Sequence, residues 1–392
     1  MTTTNDWLLP YGVEELLPPL AEEVEDIRLT LLSLYRSWGY RLVMTPFIEF
    51  EQGLLATVAD DLAERTFRLT DPGSGKPLVL RSDITPQLAR LDAHRLRKDG
   101  VARYCYSGTV LRTEPTELAG SRSPLQTGVE LYGEAGIEAD WEVISLMLRS
   151  MVELGIEDIV LDLGHVAVFS ALTESLKLTI GQEKQLFDAL QTKCESDIVD
   201  VLEQCGISSE QAQPFLALLG LMGDETVLDR AEQELGVSSP LLTDAIEQMK
   251  DICARVKRSF PGVDCYIDMS ELRECHYHTG LVFALYRQGA GRAIAQGGRY
   301  DNIGERFGRQ RPATGFSLDL RTLSTLAERE NCTTKAILAP VDDCSDLDSK
   351  VEILRAEGEV VIRQVGGDAA DYSDDCDRVL ARKDEEWIIV SL

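Results

Sequence analysis

The sequence predicts an α+β protein. Three observations carry that prediction: short β-like runs recur along the chain, long helical stretches separate them, and strands return after an almost wholly helical middle. Strands interrupted in this way suit an antiparallel or mixed sheet with helices packed on one side. At 392 residues the chain has room for two or three domains and more than one core.

Taken in order, the first element is a helix over about Val13 to Trp38, where Leu20, Val24, Ile27, Leu31 and Leu34 recur at three- and four-residue spacing and Gly39 provides a stop. Tyr40 to Phe47 reads as a short strand, with Pro46 marking an edge or end. Thr66 to Leu69 and Leu78 to Arg81 form a hairpin about the turn residues Asp71 to Lys76. Thr85-Pro86 opens a helix running to about Arg97, threonine as cap and proline at the first helical position. Strands follow at Tyr104 to Thr113 and Thr127 to Tyr132, then a helix near Trp141 to Leu154 and a strand at Ile159 to Leu163. Val166 to Val256 reads as a helical insertion. Strands resume at Cys265 to Asp268, Leu281 to Tyr286 and Ala293 to Gln296, before the turn-rich Gly297-Gly298-Arg299-Tyr300-Asp301. Gly315 to Leu326 enters a last large helix, and a short β-α-β tail carries strands at Ala336 to Ala339, Val360 to Arg363 and Trp387 to Val390. The expected domains are residues 1–165 with 262–330, an insertion at 166–261, and a tail at 331–392.

Charge and composition exclude several functions. A formal net charge of −28 sets up a field that repels a polyanion, so an extended nucleic-acid footprint is not expected. No apolar run approaches the roughly 18 residues of a membrane span, and the first residues lack a basic-then-apolar leader, which points to a cytosolic protein. Nine cysteines without a Cys-x-x-Cys pair encode neither a zinc ribbon nor a disulfide framework and are expected to be reduced. Neither a dinucleotide nor a P-loop glycine motif is present, and no metal or cofactor is expected.

Four separated segments concentrate polar groups at strand ends and helix starts: Arg81 to Gln87, Leu111 to Glu114, Gln126 to Glu130, and Leu272 to Gly280. Gln126 and Glu130, four apart on a strand, point to one face. Asp83 with the Thr85 hydroxyl suits an ammonium, and Arg273 suits a carboxylate. Those are the needs of a free amino acid, with Glu130 left for its side chain. Plainer roles compete: Thr85 as a helix cap alone, Arg81 and Asp83 as solvated hairpin residues, Arg112 and Glu114 as a cross-strand ion pair. His94 and His165 read as structural. His276 and His278 alternate with Tyr277 in strand register and make a weak metal signal.

The order of these segments resembles a known family. Gly39 to Phe47 looks like motif 1 of class II aminoacyl-tRNA synthetases, the dimer-forming strand, and Arg112-Thr113-Glu114 looks like the core of motif 2. Tyr277 to Phe283 and Gly297 to Asp301 are similar to segments of histidyl-tRNA synthetases. The resemblance implies the class II antiparallel sheet flanked by helices, a dimer, and a histidine pocket formed by Asp83, Thr85, Arg112, Gln126, Glu130, Arg273 and Tyr277, with His278 standing where the family has a second tyrosine. It implies that Glu130 meets the imidazole while Asp83, Thr85 and Gln126 hold the amino group.

Departures from that family weigh against nucleotide activation. In the motif 2 loop Pro124 stands where phenylalanine is usual, and arginines are few. In the motif 3 region, Gly315 to Thr322, Thr322 takes the arginine place, Arg321 sits one residue early, and Asp319 replaces a glycine. One residue on a helix is about 100° of rotation, which turns Arg321 off the phosphate face. A synthetase of this kind ends in an anticodon-binding domain of roughly a hundred residues. Residues 333–392 are fewer and carry 7 basic and 15 acidic side chains.

A histidine pocket without an ATP clamp or tRNA module resembles the regulatory subunits of short-form ATP phosphoribosyltransferases, over the whole chain, tail included. That resemblance implies a chain catalytically inert alone, a homodimer within a hetero-octamer with the short catalytic subunit, activation of that catalyst in the first step of histidine biosynthesis, and feedback inhibition by L-histidine as allosteric ligand. The alternatives are a class II histidine-activating ligase or histidyl-tRNA synthetase, told apart by histidine-dependent pyrophosphate exchange, and a binding scaffold without a partner enzyme.

Overall fold

The computed structural model describes residues 8–54, 63–115, 120–174, 176–236, 239–270, 278–289, 291–327 and 335–392. The chain divides into two compact units, Met1–Glu328 and Arg329–Leu392.

The first unit is built on a nine-stranded sheet. In chain order its elements are α1 (Leu20–Ser37), β1 (Arg41–Leu42), β2 (Ile48–Phe50), α2 (Glu51–Leu54), β3 (Arg68–Thr70), β4 (Pro77–Leu80), α3 (Thr85–Leu91), β5 (Ala102–Thr109), β6 (Leu125–Tyr132), α4 (Ile137–Glu153) and β7 (Ile159–His165). Helices α5 (Ala167–Thr173), α6 (Ile180–Thr192), α7 (Glu195–Gln204), α8 (Ser209–Leu218), α9 (Thr226–Leu235) and α10 (Pro240–Ser259) follow, interrupted only by the two-residue strand β8 (Met222–Gly223) among the described residues. Then come β9 (Asp264–Asp268), β10 (Leu281–Arg287), β11 (Ala293–Arg299), β12 (Ala313–Asp319) and α11 (Leu320–Leu326).

Strand order across the large sheet is β1-β5-β6-β12-β11-β10-β7-β9-β8. The run from β5 to β7 is antiparallel throughout, while β1 on β5 and β7 on β9 are parallel. Strands β2, β4 and β3 make a separate small sheet, the expected hairpin extended by Ile48–Phe50. The Tyr40 to Phe47 run is thus shorter than expected, with only Arg41 and Leu42 in the large sheet.

One face of that sheet is apolar. Cys105, Val129, Leu131, Leu161, Leu163, Phe283 and Phe316 pack against Val24, Ile27, Leu31 and Tyr35 of α1 and Val143, Met147 and Met151 of α4. Full burial of each Ile or Leu here contributes about 1.5–3 kcal/mol. Helix α1 begins at Leu20 rather than Val13, and Gly39, with φ of +85°, ends it in the left-handed region that glycine tolerates best. The helical stretch α5 to α10 shares this core through Leu186, Leu190, Phe215, Ile246 and Met249. Capping boxes at Thr179/Gln182 and Ser208/Gln211 start α6 and α8.

The opposite face is polar near its middle. Only part of it is covered, by a second cluster in which Ile84, Leu88 and Ala89 of α3 pack on Tyr104, Tyr106, Tyr132 and Tyr300. The site described below lies where the start of α3 meets this face.

The second unit is a four-stranded sheet, β14 (Val361–Arg363), β13 (Ala336–Ala339), β15 (Cys376–Lys383) and β16 (Glu386–Ser391), with helix α12 (Ser345–Ala356). Leu347, Val351 and Leu354 of α12 cover Ile337, Ala339 and Leu380. Strand β15 was not anticipated: Asp377, Arg378, Arg382 and Lys383 mask its alternation, and its partners are β13 and β16. Among the described residues no helix is long and apolar enough to cross a membrane, and no group of three or more metal-ligating side chains comes together.

Candidate ligand-binding site

Period-two geometry on β6 puts Gln126, Gly128 and Glu130 on the polar face. Glu130 is 1% exposed. Its Oε1 accepts from the Thr85 hydroxyl at 2.7 Å, and its Oε2 accepts from the Tyr300 hydroxyl. Burial pushes its carboxyl well above the usual carboxylate range, and the nearby Asp83 charge adds to the rise, against the hydrogen bond from Thr85.

The floor beside Glu130 is glycine. Gly315 pairs with Glu130 across β12 and β6, and Gly298 pairs with Gly315 across β11 and β12. A Cβ on Gly315 would fall on the Glu130 carboxylate, and one on Gly298 would lie 2.6 Å from the His278 ring. His278 and Glu130 therefore stand over adjacent glycines.

Asp83 closes the other side. Its Oδ1 accepts from Gln126 Nε2 at 2.7 Å and from the Ile84 amide at 2.8 Å, while Gln126 Oε1 accepts from the same amide at 3.3 Å. Arg112 turns inward, its Nε donating to the Ser82 carbonyl at 3.3 Å, while Glu114 is exposed. The structure thus brings Asp83, Thr85, Arg112, Gln126 and Glu130 together and sets His278 alongside. Arg273 and Tyr277, with His276, lie outside the described residues.

Several expectations need correction. Thr85 does not cap its helix: it is the first helical residue, Ile84 holds the cap position without a side-chain bond, and the Thr85 hydroxyl is drawn to the buried Glu130. Arg81 is buried, not solvated; its guanidinium donates to the carbonyls of Thr109 (2.7 Å) and Thr45 (3.0 Å) and to the Thr45 hydroxyl (2.8 Å). Asp83 is half-buried. His278 precedes β10 rather than lying in a strand. Gly315 to Asp319 is strand, not helix; only Leu320–Leu326 is helical, and Asp319 caps it by accepting from the Arg321 amide at 3.3 Å. Gly297 to Arg299 continue β11 instead of turning.

The histidines outside the site behave as structural groups. His165 is buried at the end of β7, its Nδ1 accepting from the Ala167 amide at 3.1 Å, and desolvation pushes its pKa down to about 4. His94 lies edge-on to Phe307.

Tyr300 is the residue that sequence reasoning missed. Its signal was present in strand parity, since Gly298 and Tyr300 lie two apart, but the paired glycines read as a turn. Arg299, on the other face, fixes it: its Nη2 and Nε donate to Asp140 Oδ2 at 2.7 and 3.1 Å, and its Nη1 donates to the Glu134 carbonyl at 3.1 Å. Helix α4 thereby anchors the end of β11 that carries Tyr300.

The chain is similar to known proteins along its whole length. The histidyl-tRNA synthetase family profile matches residues 12–323, and the profile of the ATP phosphoribosyltransferase subunit HisZ C-terminal domain matches residues 334–390. Over 100% of both chains, the sequence is 47% identical to the ATP phosphoribosyltransferase regulatory subunit of Thioalkalivibrio sulfidiphilus. The chain belongs to the family of ATP phosphoribosyltransferase regulatory subunits. In that family it is the regulatory and not the catalytic chain of an enzyme of histidine biosynthesis. Its fold is that of class II synthetases: a solved ATP phosphoribosyltransferase regulatory subunit/histidyl-tRNA synthetase from Bacillus halodurans matches with a TM-score of 0.84 at 25% identity, covering 97% of this chain and 99% of that one. A chain of the ATP phosphoribosyl transferase (HisG:HisZ) complex from Thermotoga maritima shares the fold with a TM-score of 0.58 at 17% identity, covering 78% of this chain and 98% of that one.

Proposed function

We propose that this regulatory subunit binds L-histidine in the pocket around Glu130, activates a short-form catalytic subunit, and passes feedback inhibition to it. The observation that carries the reading is Glu130 itself: a buried carboxylate held by two hydroxyls above a glycine floor. A carboxylate in such a place suits one charge-assisted bond to a flat cationic ring such as imidazolium. Asp83 and Gln126, now satisfied by each other, would exchange that bond for the ligand's ammonium, with Thr85 and Arg112 flanking. Arg273, Tyr277 and His278 complete the proposed set.

The domain reading is part of the same proposal: a synthetase-like body at 1–165 and 262–330, a helical insertion at 166–261 and a C-terminal domain at 331–392. So is a homodimer within a hetero-octamer. Its support is the row of exposed apolar side chains Met44, Phe47, Ile48 and Phe50 on the motif 1 segment and the small sheet after it.

Feedback requires that histidine bind the inactive arrangement of the assembly more tightly than the active one. A coupling of about 1–3 kcal/mol is typical. The test mixes the full chain with a short catalytic subunit and follows turnover with and without histidine, alongside calorimetric titration of the isolated chain. Stimulation reversed by histidine is expected. No stimulation, or no histidine binding to chain or complex, overturns the proposal.

A further inference from the structure

The cysteines among the described residues are free thiols, and two of them face each other. Helix α10 turns Met249, Ile252, Cys253 and Val256 inward, at the three- and four-residue spacing of a buried helix face. That face packs on β7 and β9. Cys265 lies opposite Leu161 in the β7–β9 register, as Ile267 lies opposite Leu163, so the Cys265 side chain is on the apolar side of the sheet and points at the helix. The Cys253 thiol donates a hydrogen bond to the Cys265 sulfur.

The surroundings of the two thiols differ. Cys253 is 2% exposed, whereas Cys265 is half-buried. Strand β8 pairs with β9 only at Ile267 and Asp268, so the outer edge of β9 beside Cys265 meets no further strand among the described residues. Lys257, four residues after Cys253 on α10, pairs at 2.8 Å with Glu225 at the start of α9, and both charges act on the thiols. The hydrogen bond from Cys253 holds the Cys265 thiol below its usual pKa, and Lys257 acts the same way, against burial and the charges of Glu225 and Asp264. Thiolate character, partial access and an adjacent second thiol are the features of an oxidisable cysteine pair.

We propose that Cys253 and Cys265 form a reversible oxidation site, at which a hydroperoxide converts the facing thiols into a disulfide that ties α10 to β9. The Cys265 thiolate attacks the peroxide: an S–O bond forms, the O–O bond breaks, and the leaving hydroxide or alkoxide takes up a proton. The Cys253 thiol then gives up its proton and attacks the sulfenic acid on Cys265, so that the S–S bond forms as the S–O bond breaks and water leaves. The two thiols together lose two electrons, and the peroxide is reduced to two waters, or to water and an alcohol. Sulfurs that already share a proton need only a short approach to bond. A small dithiol returns the pair to thiols by exchange. A metal bridge is disfavoured, because no group of three or more metal-ligating side chains comes together among the described residues.

The test treats the fully reduced full chain with a small excess of hydrogen peroxide, alkylates the remaining thiols in urea at successive times, and maps the peptides by mass spectrometry. A crosslinked peptide joining Cys253 to Cys265 is expected, with loss of two hydrogens, reversed by dithiothreitol and formed about tenfold or more faster than half-buried Cys205 and Cys344 are oxidised. Cys253→Ala removes the second thiol and is expected to leave a sulfenic acid on Cys265 that dimedone traps. Cys265→Ala is expected to leave Cys253 reduced. Should either variant misfold, the wild-type peptide map carries the test by itself. Cys253 and Cys265 recovered as alkylated thiols, oxidised no faster than Cys205 and Cys344, or crosslinked to other cysteines overturn the proposal, as does a wild-type Cys265 that stops at the sulfenic acid.

Discussion

Replacing Glu130 by glutamine keeps the shape of the pocket and removes one ionisable group. In the empty site burial pushes the Glu130 carboxyl well above its usual range, while an imidazolium beside it favours the charged form, so histidine binding is linked to proton binding. Free histidine has an imidazole pKa of about 6.5. The bound pair of imidazolium and carboxylate carries one proton, so affinity is highest between the two pKa values. It falls on the acid side, where a proton must be released, and on the alkaline side, where one must be taken up. A hydrogen bond to a charged group contributes about 1.5–3 kcal/mol. Glu130→Gln should therefore weaken histidine about 10- to 150-fold at pH 7.5. Calorimetry in two buffers of different ionisation enthalpy, with wild type and variant, measures both the affinity and the proton count. A wild-type affinity that falls on neither side of that optimum, or a variant that binds within threefold, would refute the reasoning.

Other perturbations give further checks. Gly315→Ala places a Cβ on the Glu130 carboxylate and should weaken histidine at least tenfold, whereas Gly181→Ala in α6, where nothing lies within 4 Å, should leave binding unchanged and raise stability by about 0.5–1 kcal/mol; titration and urea denaturation decide both. Arg299→Met leaves Asp140, 1% exposed, as an unpaired buried acid and should cost about 3–5 kcal/mol in urea denaturation, with part recovered in Arg299→Met/Asp140→Leu. His165 has its folded pKa depressed to about 4, so its contribution is complete above about pH 6.5 and is lost as pH falls toward 4; wild type should lose about 3 kcal/mol more than His165→Gln across that window.

How much of this was legible depended on the range of the interaction. Gln126 and Glu130 were readable because strand parity is local, and β6 shows them on one face. The start of α3 was ambiguous because a threonine before proline looks the same whether its hydroxyl caps the helix or reaches a carboxylate 45 positions away. Arg81 was misread for the same reason, its acceptors Thr45 and Thr109 being far along the chain. In β12 and α11, Phe316 and Leu318 keep strand period while Leu320 and Leu323 keep helix period, so the run read as one helix. Tyr300 was hidden because strand glycines laid flat under Glu130 carry the same letters as a turn.

The two ends of the polar face differ in how their charges are satisfied, and that difference bears on what each can bind. Asp319 accepts from the Leu125 amide at 3.2 Å, the Arg321 amide at 3.3 Å and the Thr322 hydroxyl at 3.1 Å, and the Arg321 guanidinium is paired with Glu14. Two of these donors are backbone, fixed by β6 and α11, and cannot turn to a ligand. Glu130 is held by two hydroxyls, which rotate and exchange partners cheaply. The positions that resemble a nucleotide clamp are thus committed to structure, while the amino-acid end stays exchangeable. Restoring the clamp therefore takes more than one residue. Thr322→Arg alone should give no histidine-dependent pyrophosphate exchange, because Asp319, held by the Leu125 and Arg321 amides, keeps a carboxylate beside the new arginine. Thr322→Arg with Asp319→Gly removes that charge but also the cap of α11, at about 1 kcal/mol, and should remain inactive while binding histidine as wild type does. Exchange by the single variant would show that the commitment of Asp319 and Arg321 is not what separates this chain from a ligase.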